Sequence, residues 1–181
     1  NDFQLELKDN YPTALAAHSE LRAQFEEEAR MGMMEVTSLT EARRRYGDRL
    51  RIAPQGALRN TDGTVRPLHD GTHGPGVNPM IRLRDQQRCP GPGEAKRVLG
   101  VCGSQPGPTL GLKVDIRKAH RRYKHRKEDW GLMACKLDRP DEVWLNKVGT
   151  FGVGCASYFW GRLFGVLARV ALILCLTAPV F

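Results

Sequence analysis

The stretch "GLKVDIRKAHRRYKHRKEDWGL", residues 111–132, joins a strand-like run to a block of cations, and its reading decides the fold. Counting from Leu110, the aliphatic residues Leu110, Leu112, Val114 and Ile116 alternate with Gly111, Lys113 and Asp115. A period of two predicts a strand over 110–116, with the aliphatic side chains on its core face and Lys113 and Asp115 on the other. "RKAHRRY" then turns off that strand as a helix or helical turn. An acid on the open face of a strand, followed at once by cations, suits metal-assisted phosphoryl transfer. A hard cation such as Mg²⁺ takes oxygen ligands, keeps few of them from protein and shares the rest with phosphates and water. The same residues also fit a solvated charged face.

Downstream, "WGLMACKL" and "VWLNKVG" are two further strand candidates joined through "DRPDE", a turn with Pro140 at its centre. "CASYFWGRLFGVLARV" has helical spacing, with Phe159, Leu163, Val166 and Leu167 on one side. Upstream, "PTALAAHSELRAQFEEEARMGMM" places Leu15, Leu21, Phe25, Ala29 and Met33 at helical spacing, with Thr13 as N-cap. Ser38 and Glu41 have the spacing of a capping box for a second helix in "SLTEARRRYG", which Gly47 closes. Two β-prone runs flank "NTDG", a hairpin signal, with Arg59 and Arg66 on the arms. "CPGPGEAKRVLGVCGSQPGPTLG" is rich in Gly and Pro and reads as a loop with a helical turn. These elements predict an α+β fold on a small, largely antiparallel sheet with packed helices. The expected division is an N-terminal helical segment, 1–48, a hairpin and loop, 49–110, and a sheet-bearing remainder with an apolar helix, 111–181.

Composition narrows the function. The 181 residues are 41% hydrophobic and 27% charged, which argues against wholesale disorder. The net charge of +8 is unevenly spread: residues 1–48 carry ten acids and six bases, whereas residues 49–181 carry ten acids and twenty-two bases. A basic body of that kind points to a polyanion, nucleic acid first and anionic membrane second. Five widely spaced cysteines without a CxxC pair argue against a disulfide framework and for a reducing, intracellular setting, cytoplasmic or nuclear rather than secreted. His69, His73, Cys89 and Cys102 lack zinc-ribbon spacing.

Three stretches, in this order, resemble reverse transcriptases. "GTVRPLHDGTHGPGVNPMI" is similar to the fingers segment, in which an Arg-bearing strand runs into an Asp and then "VN". "LKVDIRKAH" resembles the first palm motif, a strand bearing the metal-binding Asp. "VGTFGVGCASYFWGRL" resembles the second, a Phe-Gly turn leading into a helix. The likeness covers roughly residues 20–163 and is nearest to retrotransposon enzymes of the LTR and tyrosine-recombinase type. It implies the fingers and partial palm of a right-hand, RNA-directed DNA polymerase, truncated before the third palm motif.

The resemblance implies roles residue by residue. Asp115 is the first ligand of the catalytic Mg²⁺ ions, and the main chain of Ile116 is a second contact. Arg66, and with it Arg59, reaches the triphosphate of an incoming deoxynucleoside triphosphate, where a guanidinium fork suits phosphate oxygens. Phe151 and Gly152 floor the nascent base pair. His120 stands where the family has Tyr or Phe against the ribose 2′-hydroxyl, so sugar discrimination departs from the family pattern. Lys118, Arg121, Arg122, Lys124, Arg126 and Lys127 contact the backbone of an RNA template and DNA primer, or form a solvated basic face. The family's two metals, roughly 3.5–4 Å apart, need more than one carboxylate. The partner acids come from a hairpin with two adjacent acids, yet no Asp or Glu follows Glu142. Little or no polymerase activity is therefore expected of these residues alone. A non-catalytic nucleic-acid-binding remnant is the alternative. A third reading, a tail-anchored membrane protein, rests only on residues 163–181, an apolar run broken by Arg169 and close to the roughly 20 residues of a membrane helix.

Overall fold

The central strand is "EVWLN", whose residues from Val143 to Asn146 are all buried. A strand with both faces covered has no polar side to alternate with, and this one has helices on each. The computed structural model describes residues 7–104, 106–107 and 114–177. In chain order its elements are α1 (Pro12–Ala16), α2 (His18–Arg30), β1 (Met34–Ser38), α3 (Leu39–Tyr46), β2 (Ile52–Ala53), β3 (Gln55–Arg59), β4 (Val65–His69), α4 (Val77–Met80), α5 (Pro92–Gly103), β5 (Ala134–Cys135), β6 (Glu142–Asn146) and α6 (Ala156–Thr177). Short 3₁₀ helices occupy Gly47–Arg49, Ala119–Arg122 and Lys127–Met133. The fold is therefore mixed α+β, with a small sheet and several helices.

The sheet runs in the order β1-β6-β5-β2. β6 is antiparallel to both β1 and β5, and β2 lies parallel to β5. Val143 and Leu145 point to one face, where Ala42 of α3 joins Leu50, Ile52 and Ala134 in a buried cluster. Trp144 points to the other, against Phe25 of α2, Met34 and Cys135. The Phe25 and Trp144 rings meet edge to face at 5.5 Å. β3 and β4 form a separate antiparallel hairpin in which Arg59 is opposite Val65 and Leu58 is opposite Arg66. Its turn closes as the NTDG signal predicts, with Asn60 N–H donating to Thr64 O at 2.9 Å and Gly63 N–H to Asn60 O at 3.0 Å.

Several local expectations change. Residues 108–113 lie outside the described residues, so of the strand over 110–116 only Val114–Ile116 can be compared, and these three form no strand. Alternation supplies a strand's side-chain pattern but not its partner, and no described strand pairs with this segment; Val114 is 67% exposed instead of buried. Thr13 does not cap. The first helix starts at Pro12, and the Thr13 hydroxyl accepts from Ala57 N–H of the hairpin at 3.2 Å. The Gly/Pro-rich loop contains a full helix, α5, because Pro92 sits at its start and the Glu94 carboxylate accepts from Gly91 N–H at 2.9 Å. "WGLM" completes a 3₁₀ helix and only Ala134–Cys135 of that run is strand. "MEVTS", inside the N-terminal segment expected to be helical, is instead the edge strand β1. α3 forms where expected with half of the capping box: Ser38 Oγ accepts from Glu41 N–H at 3.1 Å, the Glu41 carboxylate accepts from Arg44 at 2.7 Å, and Gly47 ends the helix at φ +48°. Among the described residues no helix is long and apolar enough to cross a membrane.

Candidate functional site

A cleft of about 710 Å³ opens between the hairpin, α2 and the segment 115–121. Arg66 enters from β4, Asp115, Ile116, Lys118, His120 and Arg121 from the segment after the undescribed residues, and Phe151 from the turn before α6. Seven of the residues singled out in the sequence, from three separate stretches, thus line one space. Asp115 is exposed, and no described residue pairs with its carboxylate. Arg117, which sequence reasoning did not single out, adds a cation to the wall, and Asp62 at the hairpin tip adds an acid held by Thr64 N–H at 2.9 Å.

The cleft floor is a buried ionic cluster. Glu28 and Arg121 are both buried and paired with each other through the Arg121 guanidinium. A second nitrogen of that guanidinium donates to Asn146 Oδ1 at 2.7 Å and Gly149 O at 3.2 Å. Asn146 in turn donates to Met133 O at 3.0 Å, which ties the cluster to the sheet. Lys118 adds its ammonium to Glu28 at 3.2 Å, from a backbone at φ +54° that L-residues seldom adopt. Arg121 and Lys118 are therefore turned inward to Glu28, and the backbone-contact role expected of Arg121 does not suit a guanidinium that is 8% exposed. A buried carboxylate needs compensating charge, and these two cations supply it. Burial holds the Arg121 pKa below its ordinary value despite Glu28.

Phe151 is the exposed ring of the cleft. The His120 ring meets it edge-on at 4.6 Å, and the Arg66 guanidinium carbon lies 5.3 Å from its centroid. Its neighbour Gly152 sits at φ +91°, and a Cβ there would fall 1.7 Å from His69 O. Only glycine permits that approach. His69 is buried beside Gln55, whose amide lies 3.3 Å from its Nδ1. Burial, and then the Arg121 charge, press its pKa down to about 4, so the ring is neutral near pH 7.

Compared with models of known protein families and with curated proteins, the chain matches none. The geometry therefore carries the functional argument.

The remaining expected residues lie elsewhere. Arg59 is drawn to Glu20 at 2.7 Å and to Gly63 O at 3.1 Å, and does not line the cleft. Arg122, Lys124, Arg126 and Lys127 are exposed beyond its wall as a basic surface. Among the described residues, no group of three or more His, Cys, Asp or Glu is placed to hold a metal ion. His73 is turned to Asp70 at 2.9 Å, away from any zinc site with His69. In the cleft, Glu28 is committed to Arg121 and Lys118, and Asp62 to Thr64, which leaves Asp115 as the uncommitted carboxylate. The described donors do not fit a two-ion centre. Glu28 was missed in the sequence because it sits in "EEE"; its spacing from Leu21 and Phe25 on the buried face of α2 was the available signal.

Proposed function

We propose that this chain is the fingers and partial palm of a retrotransposon reverse transcriptase, with a cleft for a nucleoside triphosphate paired to a template. What supports the reading is one observation: Arg66, Asp115, His120 and Phe151, each from a different stretch or end of a stretch resembling that family, line the same cleft. An exposed aromatic ring with a guanidinium over it suits a stacked base with an anionic tail beside it. In this reading Arg66 takes phosphate oxygens, Phe151 supports the base, and His120 borders the sugar. In this reading Asp115 and the Ile116 main chain would be two of the contacts that hold Mg²⁺, which would supply positive charge for phosphoryl transfer. Among the described residues of the cleft, Asp115 is the one free carboxylate for that task, so the chain binds nucleic acid and nucleotide without extending a primer. The exposed cations Arg117, Arg122, Lys124, Arg126 and Lys127 would track RNA and DNA backbones, with affinity falling steeply as salt rises.

The unpartnered Asp115 also favours a second reading, a binding remnant that has kept its basic face without the chemistry. Deoxynucleoside triphosphate binding, RNA–DNA hybrid binding across a salt series, and Mg²⁺-dependent primer extension, on the chain and on Asp115→Ala and Arg66→Ala, separate the two. The first reading expects nucleotide affinity that Arg66→Ala abolishes and that Mg²⁺ raises only while Asp115 is present. Hybrid binding without any nucleotide affinity would leave the remnant. Absence of both would remove the polymerase reading altogether.

A further inference from the structure

The cleft's aromatic ring touches His120 and Arg66, but the turn that carries it is held from behind, by Asn78 of α4. Its side-chain amide nitrogen donates to Gly152 O at 2.7 Å and to Thr72 Oγ1 at 2.9 Å. Its side-chain oxygen accepts from Gly154 N–H at 2.7 Å, and its backbone N–H donates to Gly71 O at 2.8 Å. Both donors of one amide and one oxygen are thus spent on joining residues 71–72 to residues 152–154. The far side of this joint is anchored as well. Asp70 accepts from Thr72 N–H at 2.9 Å, His73 N–H at 3.0 Å and the Tyr11 hydroxyl at 2.5 Å, and its own N–H donates to Pro54 O at 3.0 Å. The Phe-Gly turn meets the same segment a second time, where His69 N–H donates to Phe151 O at 3.3 Å.

We infer that Asn78 is the positioning residue of the cleft: by fixing the carbonyl of Gly152 and the amide of Gly154 it sets where the Phe151 ring stands between Arg66 and His120, and so how well the cleft grips a base. Arg66 is carried on β4 and not on the Phe-Gly turn, so its phosphate contact can be read apart from the base contact of Phe151. The inference rests on the nucleotide reading for its binding consequence but not for its structural one.

The test places 4-fluorophenylalanine at position 151 in the full chain and compares the parent with Asn78→Ala and Asn78→Asp. The aspartate keeps an oxygen for Gly154 N–H and loses both donors. In the parent, the ¹⁹F signal is displaced by the His120 ring; in Asn78→Ala it moves to the position of a solvent-exposed ring, and in Asn78→Asp it falls between. Affinity for dGTP drops about tenfold in Asn78→Ala, the lower range of one base–aromatic stack, while affinity for inorganic tripolyphosphate is unchanged. If Asn78→Ala does not fold, as judged by Trp144 emission, the aspartate variant supplies the same readings. An unmoved ¹⁹F signal in a folded variant overturns the inference, and so does equal loss of dGTP and tripolyphosphate affinity. A parent that binds neither ligand defeats the nucleotide reading, while the ¹⁹F comparison still decides whether Asn78 holds the ring.

Discussion

At the scale of single residues, the most consequential side chains are charged ones placed where charge is expensive. Glu28 and Arg121 neutralise each other beneath the cleft; removing Glu28 leaves Arg121 buried without a counter-charge, and removing Arg121 leaves the buried Glu28 with Lys118 alone. Arg121→Met and Glu28→Leu should each lower unfolding free energy by about 3–5 kcal/mol, whereas the two together should recover most of that loss. Urea unfolding of the two single variants and the pair measures the coupling. His69 has a different signature. Its folded-state pKa of about 4 lies below the ordinary 6.5, so the folded state resists protonation. The stability it contributes is complete above pH 6.5 and is lost as pH falls toward 4, by on the order of 3 kcal/mol. Burial raises the neighbouring Asp70 carboxyl, but hydrogen bonds from Tyr11, His73 and Thr72 outweigh it and keep that group ionised throughout this window. Stability measured at pH 7 and pH 4.5 should therefore fall less for His69→Asn than for the parent; equal falls would exclude His69 as the source. Asp115, Arg66, His120 and Phe151 were legible because each sits in a recognisable local pattern. Glu28 was not, and Arg121 was read as a surface cation, since a charged residue in a charged run reads as solvated until the segment that buries it is known.

At the scale of elements, legibility followed how much of each element's stabilisation is local. The NTDG hairpin and α3 are specified by turn and cap residues a few positions apart, and both formed where expected. Ser38→Ala should cost about 1 kcal/mol, because it removes the acceptor for Glu41 N–H; thermal unfolding beside Thr40→Ala as a control checks it. The run over 110–116 has a strand's alternation, yet Val114–Ile116 have no described strand beside them, and alternation without a hydrogen-bonding neighbour does not make a strand. α5 was hidden by the opposite error. Gly and Pro flank it more than they interrupt it, and "EAKRVL" between them is ordinary helix-forming sequence.

At the scale of the whole molecule, α6 departs from the usual amphipathic pattern. Phe164, Val166, Leu167, Val170, Ile173 and Leu174 are all exposed along it, so its apolar surface is not confined to the side that meets the cleft elements. Surface of that kind associates in water. Light scattering at rising protein concentration should show the chain self-associating, and Val170→Lys with Leu174→Glu should suppress this without altering unfolding free energy by more than about 0.5 kcal/mol. The strand order has a consequence in time. Met34 pairs with Asn146, and Ile52 with Ala134, so neither edge of the sheet can be completed by residues near it in the chain. On a ribosome, α2, β1 and α3 would emerge with their apolar faces uncovered and stay so until β6 followed. Such distant pairings close slowly, and during synthesis the first fifty residues would be chaperone substrates before they were part of a fold.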